Sequence, residues 1–172
     1  CLVVNGPGSE SVAVQMAPPS LVPSDLPLNS DSPWRDRELE VAGRALQLTG
    51  VSMGNPHAVT FDDVGEARFE IGPAIQADPH FPEGVNVGFV SELDSVSMRL
   101  DVLERGAGWT QACGTGACAA AVAAVETNRA KRGEQLSVRL PGGVLLITVG
   151  ESGDTVLMQG PARFVFRGEL PA

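Results

Sequence analysis

The 172-residue chain is poor in cysteine, poor in basic side chains and without any long apolar run. Three cysteines, Cys1, Cys113 and Cys118, are a small and odd number, which argues against a disulfide-stapled secreted domain and for a reducing compartment. Twelve basic against 21 acidic residues give a formal charge of −9. Nucleic acid and anionic membranes both require a positive surface, so neither is an expected partner. No stretch reaches the roughly twenty apolar residues that cross a bilayer, and no charged-then-apolar leader opens the chain. Internal repeats and low-complexity segments are missing as well. A cytoplasmic location is therefore expected. The chain opens on Cys1 without a methionine, which implies processing or a piece of something longer. What remains, at 43% hydrophobic and 19% charged, has the composition of one globular domain.

Short strands dominate. Ser11 to Met16 alternates in the manner of a strand, and the proline-laden stretch Ala17 to Pro33 predicts an extended loop, because proline lacks the N–H that regular pairing needs. Leu39 to Leu48 predicts a turn into a second strand or a hairpin, with Gly43 at the bend, and Val51 to Phe61 a strand interrupted at Gly54-Asn55-Pro56. Val64 to Ala77 has helical spacing, but Pro73 should end or restart it, leaving two short helical turns. Val85–Val90, Val96–Leu103, Leu136–Leu140, Val144–Val149, Thr155–Met158 and Arg163–Phe166 are strand-like, with a turn at Pro141-Gly142-Gly143. One strong helix runs from Thr115 to about Arg129. It is almost entirely alanine and valine, and a helix apolar on every face must be buried. The fold class expected is α+β, a curved, mostly antiparallel sheet or barrel wrapped around one central helix.

Cys113 falls just before that helix, followed by Gly114-Thr115-Gly116. Free N–H groups and the helix dipole at such a terminus favour an anion. The same field is expected to lower the Cys113 pKa and make it a base or nucleophile, with Thr115 capping the helix or holding the anion. Cysteine is also a common core residue, and Gly-Thr-Gly a common turn. Cys118 lies five residues on, about 140° around the helix, and is read as packing; no metal site is expected. Asn55 and His57 share a turn where the imidazole could shuttle protons near neutrality; a structural turn satisfies the same pattern. Asn86 sits inside an apolar strand and needs a partner, protein or ligand. Glu104-Arg105 offers a carboxylate for an ammonium and a guanidinium for a carboxylate, or else a surface ion pair.

Ser52-Met53-Gly54-Asn55-Pro56-His57, Phe81-Pro82-Glu83-Gly84-Val85-Asn86-Val87, Glu104-Arg105-Gly106 and Ala112-Cys113-Gly114-Thr115-Gly116-Ala117, in that order, resemble the C-terminal portion of diaminopimelate epimerases. The resemblance runs from Val14-Gln15-Met16 to Gly160-Pro161-Ala162 and Phe164 to Glu169. It implies interconversion of LL- and meso-diaminopimelate for lysine and peptidoglycan synthesis by two cysteines on opposite faces of the Cα, without pyridoxal phosphate or metal. It assigns Cys113 as one of the pair, Glu104 and His57 as groups beside the reacting amino group, and Gly114, Thr115 and Gly116 as binders of the α-carboxylate. Asn55, Asn86 and Arg105 would hold the distal end.

The other cysteine of the family belongs to a Cys-Gly-Asn-Gly-type motif in an N-terminal half that is absent here, and Cys1 is not followed by that motif. Residues 1–172 are thus expected to form a single domain, the C-terminal half, inactive by itself and partnered by the missing N-terminal domain. Cys1 then lies near a domain junction; an N-terminal nucleophile and a lipid anchor are its other readings. Gly160 to Glu169 would lack a partner sheet and invite self-association into a homodimer. Trp109 stands where a glutamate is expected in many members. Another cofactor-independent amino-acid racemase of the same fold, or a non-catalytic binding module, are the competing readings.

Overall fold

Alternating apolar positions and glycine or proline turns give eleven strands that join into one sheet. The computed structural model describes residues 2–6, 9–151, 155–162, 166, 168 and 169. The strands are β1 (Leu2–Gly6), β2 (Ser9–Met16), β3 (Arg37–Val41), β4 (Arg44–Ser52), β5 (Pro56–Thr60), β6 (Asn86–Ser91), β7 (Ser97–Glu104), β8 (Gly108–Thr110), β9 (Gln135–Leu140), β10 (Gly143–Val149) and β11 (Val156–Pro161). Their spatial order is β1-β2-β11-β10-β9-β7-β6-β5-β4-β3, with β8 beside β7. All pairs are antiparallel except β5–β6 and β7–β9. A parallel pair needs a crossover, and these two connections carry the helices α1 (Arg68–Gln76) and α2 (Gly114–Glu126).

The two ends of the order, β1 and β3, do not pair with each other, so the sheet is open and the barrel alternative fails. Its curvature follows from α2. Strands β4 to β7 and β9 to β11 all contact this one helix. Seven strands at about 4.8 Å spacing reach α2, a cylinder about 10 Å across, only by wrapping around it. Residues Gly116 to Ala124 are buried without interruption, and alanine keeps the surrounding strands close. The helix ends where Thr127 Oγ1 donates to the Ala123 carbonyl at 2.7 Å. Arg129 then pairs with Asp36 at 2.7 Å and lies over the Phe61 ring.

A second core lies around α1, fed by Leu26 and Leu28 from the proline-rich segment and Trp34 just after it, together with Ile71, Ile75 and Phe81. The expected break at Pro73 does not occur: α1 runs through it to Gln76. Burial of Ile71, Gly72 and Ile75 outweighs the one donor that proline removes. The hairpin at Gly43 is present, with Ala42 and Gly43 both at positive φ, as a two-residue primed turn requires. Pro141-Gly142 turns β9 into β10 as expected. β1 and the three-residue β8 were not expected. At the described start of the closing segment, Gly160 and Pro161 pair with Val12 and Ser11 of β2, while the register with β10 ends at Gln159. Arg163 to Val165, most of the last predicted strand, and Cys1 lie outside the described residues. No helix among the described residues is long and apolar enough to cross a membrane.

Candidate active site

The sheet brings the singled-out residues to one end. β5 and β6 are parallel and both start there, with His57 opposite Asn86. β7 runs the other way and ends there, so Glu104 follows directly on the pair Val87–Leu103. β8 folds back from β7 and delivers the chain to Cys113 at the N-terminus of α2.

Cys113 is itself the N-cap. Its Sγ accepts the Gly116 N–H at 3.3 Å and lies 3.6 Å from Thr115 Oγ1. Of the two readings of Thr115, the capping one fails, since it occupies the second position of the helix, and the Gly116 amide is engaged by sulfur rather than free for a carboxylate. Gly114 and Thr115 keep first-turn N–H groups that have no helical carbonyl behind them. Glycine at 116 is demanded by space, since a Cβ there would come within 3.1 Å of Cys113 Sγ and 3.2 Å of Val102 Cγ2.

The thiol is 7% exposed, and its pKa is raised, not lowered as expected. Burial is the largest cause; the hydrogen bonds from Thr115 and Gly116 oppose it, and the Glu104 carboxylate adds to it by charge and by accepting from the thiol. Cys113 therefore rests as a neutral thiol with a proton acceptor at its side. Cys118 is fully buried in α2, and burial pushes it up to about 12, in keeping with a packing role.

His57 is 1% exposed, and burial pushes it down to about 4, so the imidazole is neutral at pH 7 and the proton shuttle near neutrality does not hold. Its Nε2 lies 3.1 Å from Asn55 Oδ1, and Asn55 Nδ2 donates to Thr115 Oγ1 at 3.4 Å. Asn86 finds its partners in the protein. Its Nδ2 donates to the Pro56 carbonyl at 2.9 Å and its Oδ1 accepts the Arg105 N–H at 2.8 Å, tying the Asn55 turn to the end of β7. The exposed Arg105 guanidinium donates to the Glu83 carbonyl at 2.8 Å and the Gly84 carbonyl at 3.5 Å, and makes no ion pair with Glu104 among the described residues.

Two supports escaped the sequence reading. The Gly142 N–H donates to the Gln111 carbonyl at 2.6 Å, so the β9–β10 turn holds the segment leading to Cys113. Met158 of β11 packs on Gly114, its sulfur 3.1 Å from where a Cβ would stand. The sequence marked Pro141-Gly142 only as a turn, and nothing marked Met158. Trp109 packs edge-on to Phe69 at 5.0 Å and against Phe89 at 5.8 Å, anchoring β8 to α1 and β6. Among the described residues no group of three or more His, Cys, Asp or Glu side chains is placed to hold a metal ion.

The chain is similar to known proteins in sequence and in fold. The chain is 47% identical over 161 residues to the diaminopimelate epimerase of Stutzerimonas stutzeri, covering 92% of this chain and 58% of that one. It is 49% identical to that of Alkalilimnicola ehrlichii, of which it covers 57%. The chain thus spans somewhat over half the length of these relatives. In structure it is similar to a hydroxyproline epimerase from Agrobacterium vitis, with a TM-score of 0.61 at 16% identity over 88% of this chain and 49% of that one. A predicted epimerase from Pseudomonas aeruginosa gives 0.56 at 17% identity, over 99% and 62% respectively. Those two likenesses are of fold. The diaminopimelate epimerase family model matches residues 49–165, which include Asn55, His57, Asn86, Glu104, Arg105 and Cys113, and the chain belongs to the diaminopimelate epimerase family.

Proposed function

We propose that the chain is the C-terminal domain of an enzyme that epimerises LL- and meso-diaminopimelate, and that it supplies one half of a two-thiol site. The observation that carries the reading is Cys113, a buried thiol capping α2 with Glu104 on one side and N–H and hydroxyl donors on the other. An amino-acid α-proton is weakly acidic, so a base must meet it while donors stabilise charge developing on the carboxylate. The N–H groups of Gly114 and Thr115 at the helix terminus are those donors. When the sulfur acts as base, Glu104 takes the thiol proton and the thiolate takes the α-proton from carbon; in the reverse direction the thiol gives that proton back to carbon and Glu104 returns its own to the sulfur. Arg105, anchored by the 83–84 backbone, presents its remaining N–H groups to a distal carboxylate. Asn55 and Asn86 contribute to the same end while holding the Thr115 and Arg105 segments in place.

Neither pyridoxal phosphate nor a metal enters this scheme, because the proton moves between carbon and sulfur. The partner required is the N-terminal part of the enzyme, carrying the opposing thiol. Two buried free thiols, Cys113 and Cys118, support a reducing, cytoplasmic setting. The test joins this chain to the N-terminal portion of the Stutzerimonas stutzeri relative and follows solvent deuterium entering the α-position of LL-diaminopimelate. Exchange that disappears in Cys113→Ala is the expected result. A folded fusion without exchange, or exchange indifferent to Cys113→Ala, overturns the assignment. Faster exchange into proline would instead make this a sibling racemase.

A further inference from the structure

His57 is the one buried titratable ring at the site, and it is too deeply buried to carry a proton at neutral pH. Its bonds nonetheless run in a single direction. Asn55 Oδ1 can only accept, so His57 Nε2, 3.1 Å away, bears the hydrogen and donates it. Asn55 Nδ2 can only donate, so Thr115 Oγ1, at 3.4 Å, accepts. The hydroxyl is then left with its own hydrogen, and the Cys113 Sγ stands 3.6 Å from it. Sulfur thereby receives two donors, Thr115 Oγ1–H and the Gly116 N–H.

We propose that His57 is a positioning residue for Cys113: by donating to Asn55 it fixes the amide, and through Thr115 aims a hydroxyl hydrogen at the sulfur. The inference rests on Cys113 being the reacting thiol, but it concerns bonds internal to this chain and is tested without substrate. The logic of the direction is simple. An imidazole carrying its hydrogen on Nδ1 would face Asn55 with a lone pair, the amide would turn over, and Thr115 would donate to Oδ1 instead of to sulfur. A donor on sulfur stabilises thiolate over thiol, so the histidine sets thiol acidity from two residues away without titrating. Two groups act on the sulfur besides this relay: the Gly116 N–H, which works in the same sense, and the Glu104 carboxylate from β7, which works against ionisation.

The experiment uses the 172-residue chain carrying Cys1→Ser and Cys118→Ala, so that Cys113 is the lone thiol, and titrates thiolate by its far-ultraviolet absorbance. Thr115→Val lowers the thiolate fraction at a given pH by about tenfold, the scale of one lost hydrogen bond to a charged group. His57→Leu lowers it in the same direction, His57→Gln, which keeps an N–H donor, restores it, and His57→Leu has no further effect once Thr115 is valine. Asn55→Ala breaks the same chain at a half-buried turn and serves where His57→Leu does not fold. Equal effects of His57→Leu with and without Thr115→Val overturn the proposal. So does an unshifted titration in folded Asn55→Ala. A deuterium-exchange failure in the fused enzyme, by contrast, removes the epimerase reading and leaves this coupling intact.

Discussion

Lowering the pH should unfold this chain partly through one residue. His57 is buried and neutral in the folded state, with a pKa pushed from 6.5 to about 4 by the loss of water around the ring. The unfolded chain takes up a proton near 6.5 and the folded chain only near 4, so protons favour unfolding throughout that window. The sign follows. The stability held by the neutral ring is fully present above 6.5, erodes as pH falls, and is gone by about 4. At about 1.36 kcal/mol per tenfold change in proton affinity, a fall from 6.5 to about 4 is worth about 3 kcal/mol. Set against a typical domain stability of about 5–15 kcal/mol, that loss is large. Carboxylates titrate over part of the same range, so the measurement is a difference. Urea unfolding of the parent and of His57→Gln is compared from pH 7 to pH 4, the glutamine keeping a donor to Asn55 but never titrating. The parent should lose about 3 kcal/mol more than the variant, with the divergence beginning near pH 6.5. Parallel stability curves would refute the claim that burial of this ring, rather than a carboxylate, governs the upper part of the acid transition.

Three further substitutions probe the packing on which the site rests. Gly116→Ala places a methyl 3.1 Å from Cys113 Sγ and 3.2 Å from Val102, and should cost about 1–3 kcal/mol in urea unfolding and slow alkylation of Cys113. Gly142→Ala brings a Cβ to 2.8 Å from the Gln111 carbonyl oxygen, a backbone atom with little freedom to yield. A loss of about 1–3 kcal/mol with the turn's N–H bond to Gln111 broken is expected, visible as faster amide exchange at Gly142. Ala120→Leu puts three extra carbons into a fully buried face of α2 and should destabilise by a similar about 1–3 kcal/mol, whereas the same change at exposed Ala112 should be nearly silent.

Much of the fold was legible because period-two patterns and turn residues act locally. The Ala42-Gly43 hairpin and the Pro141-Gly142 turn stand where their residues require positive φ or a tight reversal. The burial of α2 was legible for a different reason, since nine successive residues from Gly116 to Ala124 leave no polar face to offer water. Where tertiary packing outvoted a local rule, the sequence misled. Pro73 continues through α1 because Ile71 and Ile75 are held in a core that the sequence pattern around it does not reveal. At the site, the residue types were readable but not their partners. A strand asparagine such as Asn86 signals an obligation to be hydrogen-bonded, yet which carbonyl and which N–H satisfy it depends on residues 30 and 19 positions away. The direction of the Cys113 pKa was also beyond the sequence: a helix N-terminus argues for thiolate, and only the fold shows burial and Glu104 outweighing it.

The arrangement around Cys113 carries a stereochemical constraint. Inversion at a tetrahedral carbon needs a proton taken from one face and delivered to the other, which a single group fixed on one side cannot do. The other thiol among the described residues, Cys118, is fully buried and about 140° around α2 from Cys113, so it cannot stand across a substrate from it. Glu104 acts on Cys113 by charge and hydrogen bonding from the same side, and His57 is neutral and bonded to Asn55, so neither is set to serve the opposite face. Under the proposed reaction, the acid/base group for that face is expected in the part of the relatives' length that this chain does not span. Under the proposed epimerisation, Cys113 and the donors around it serve one proton transfer, and among the described residues no second thiol stands opposite it to serve the other.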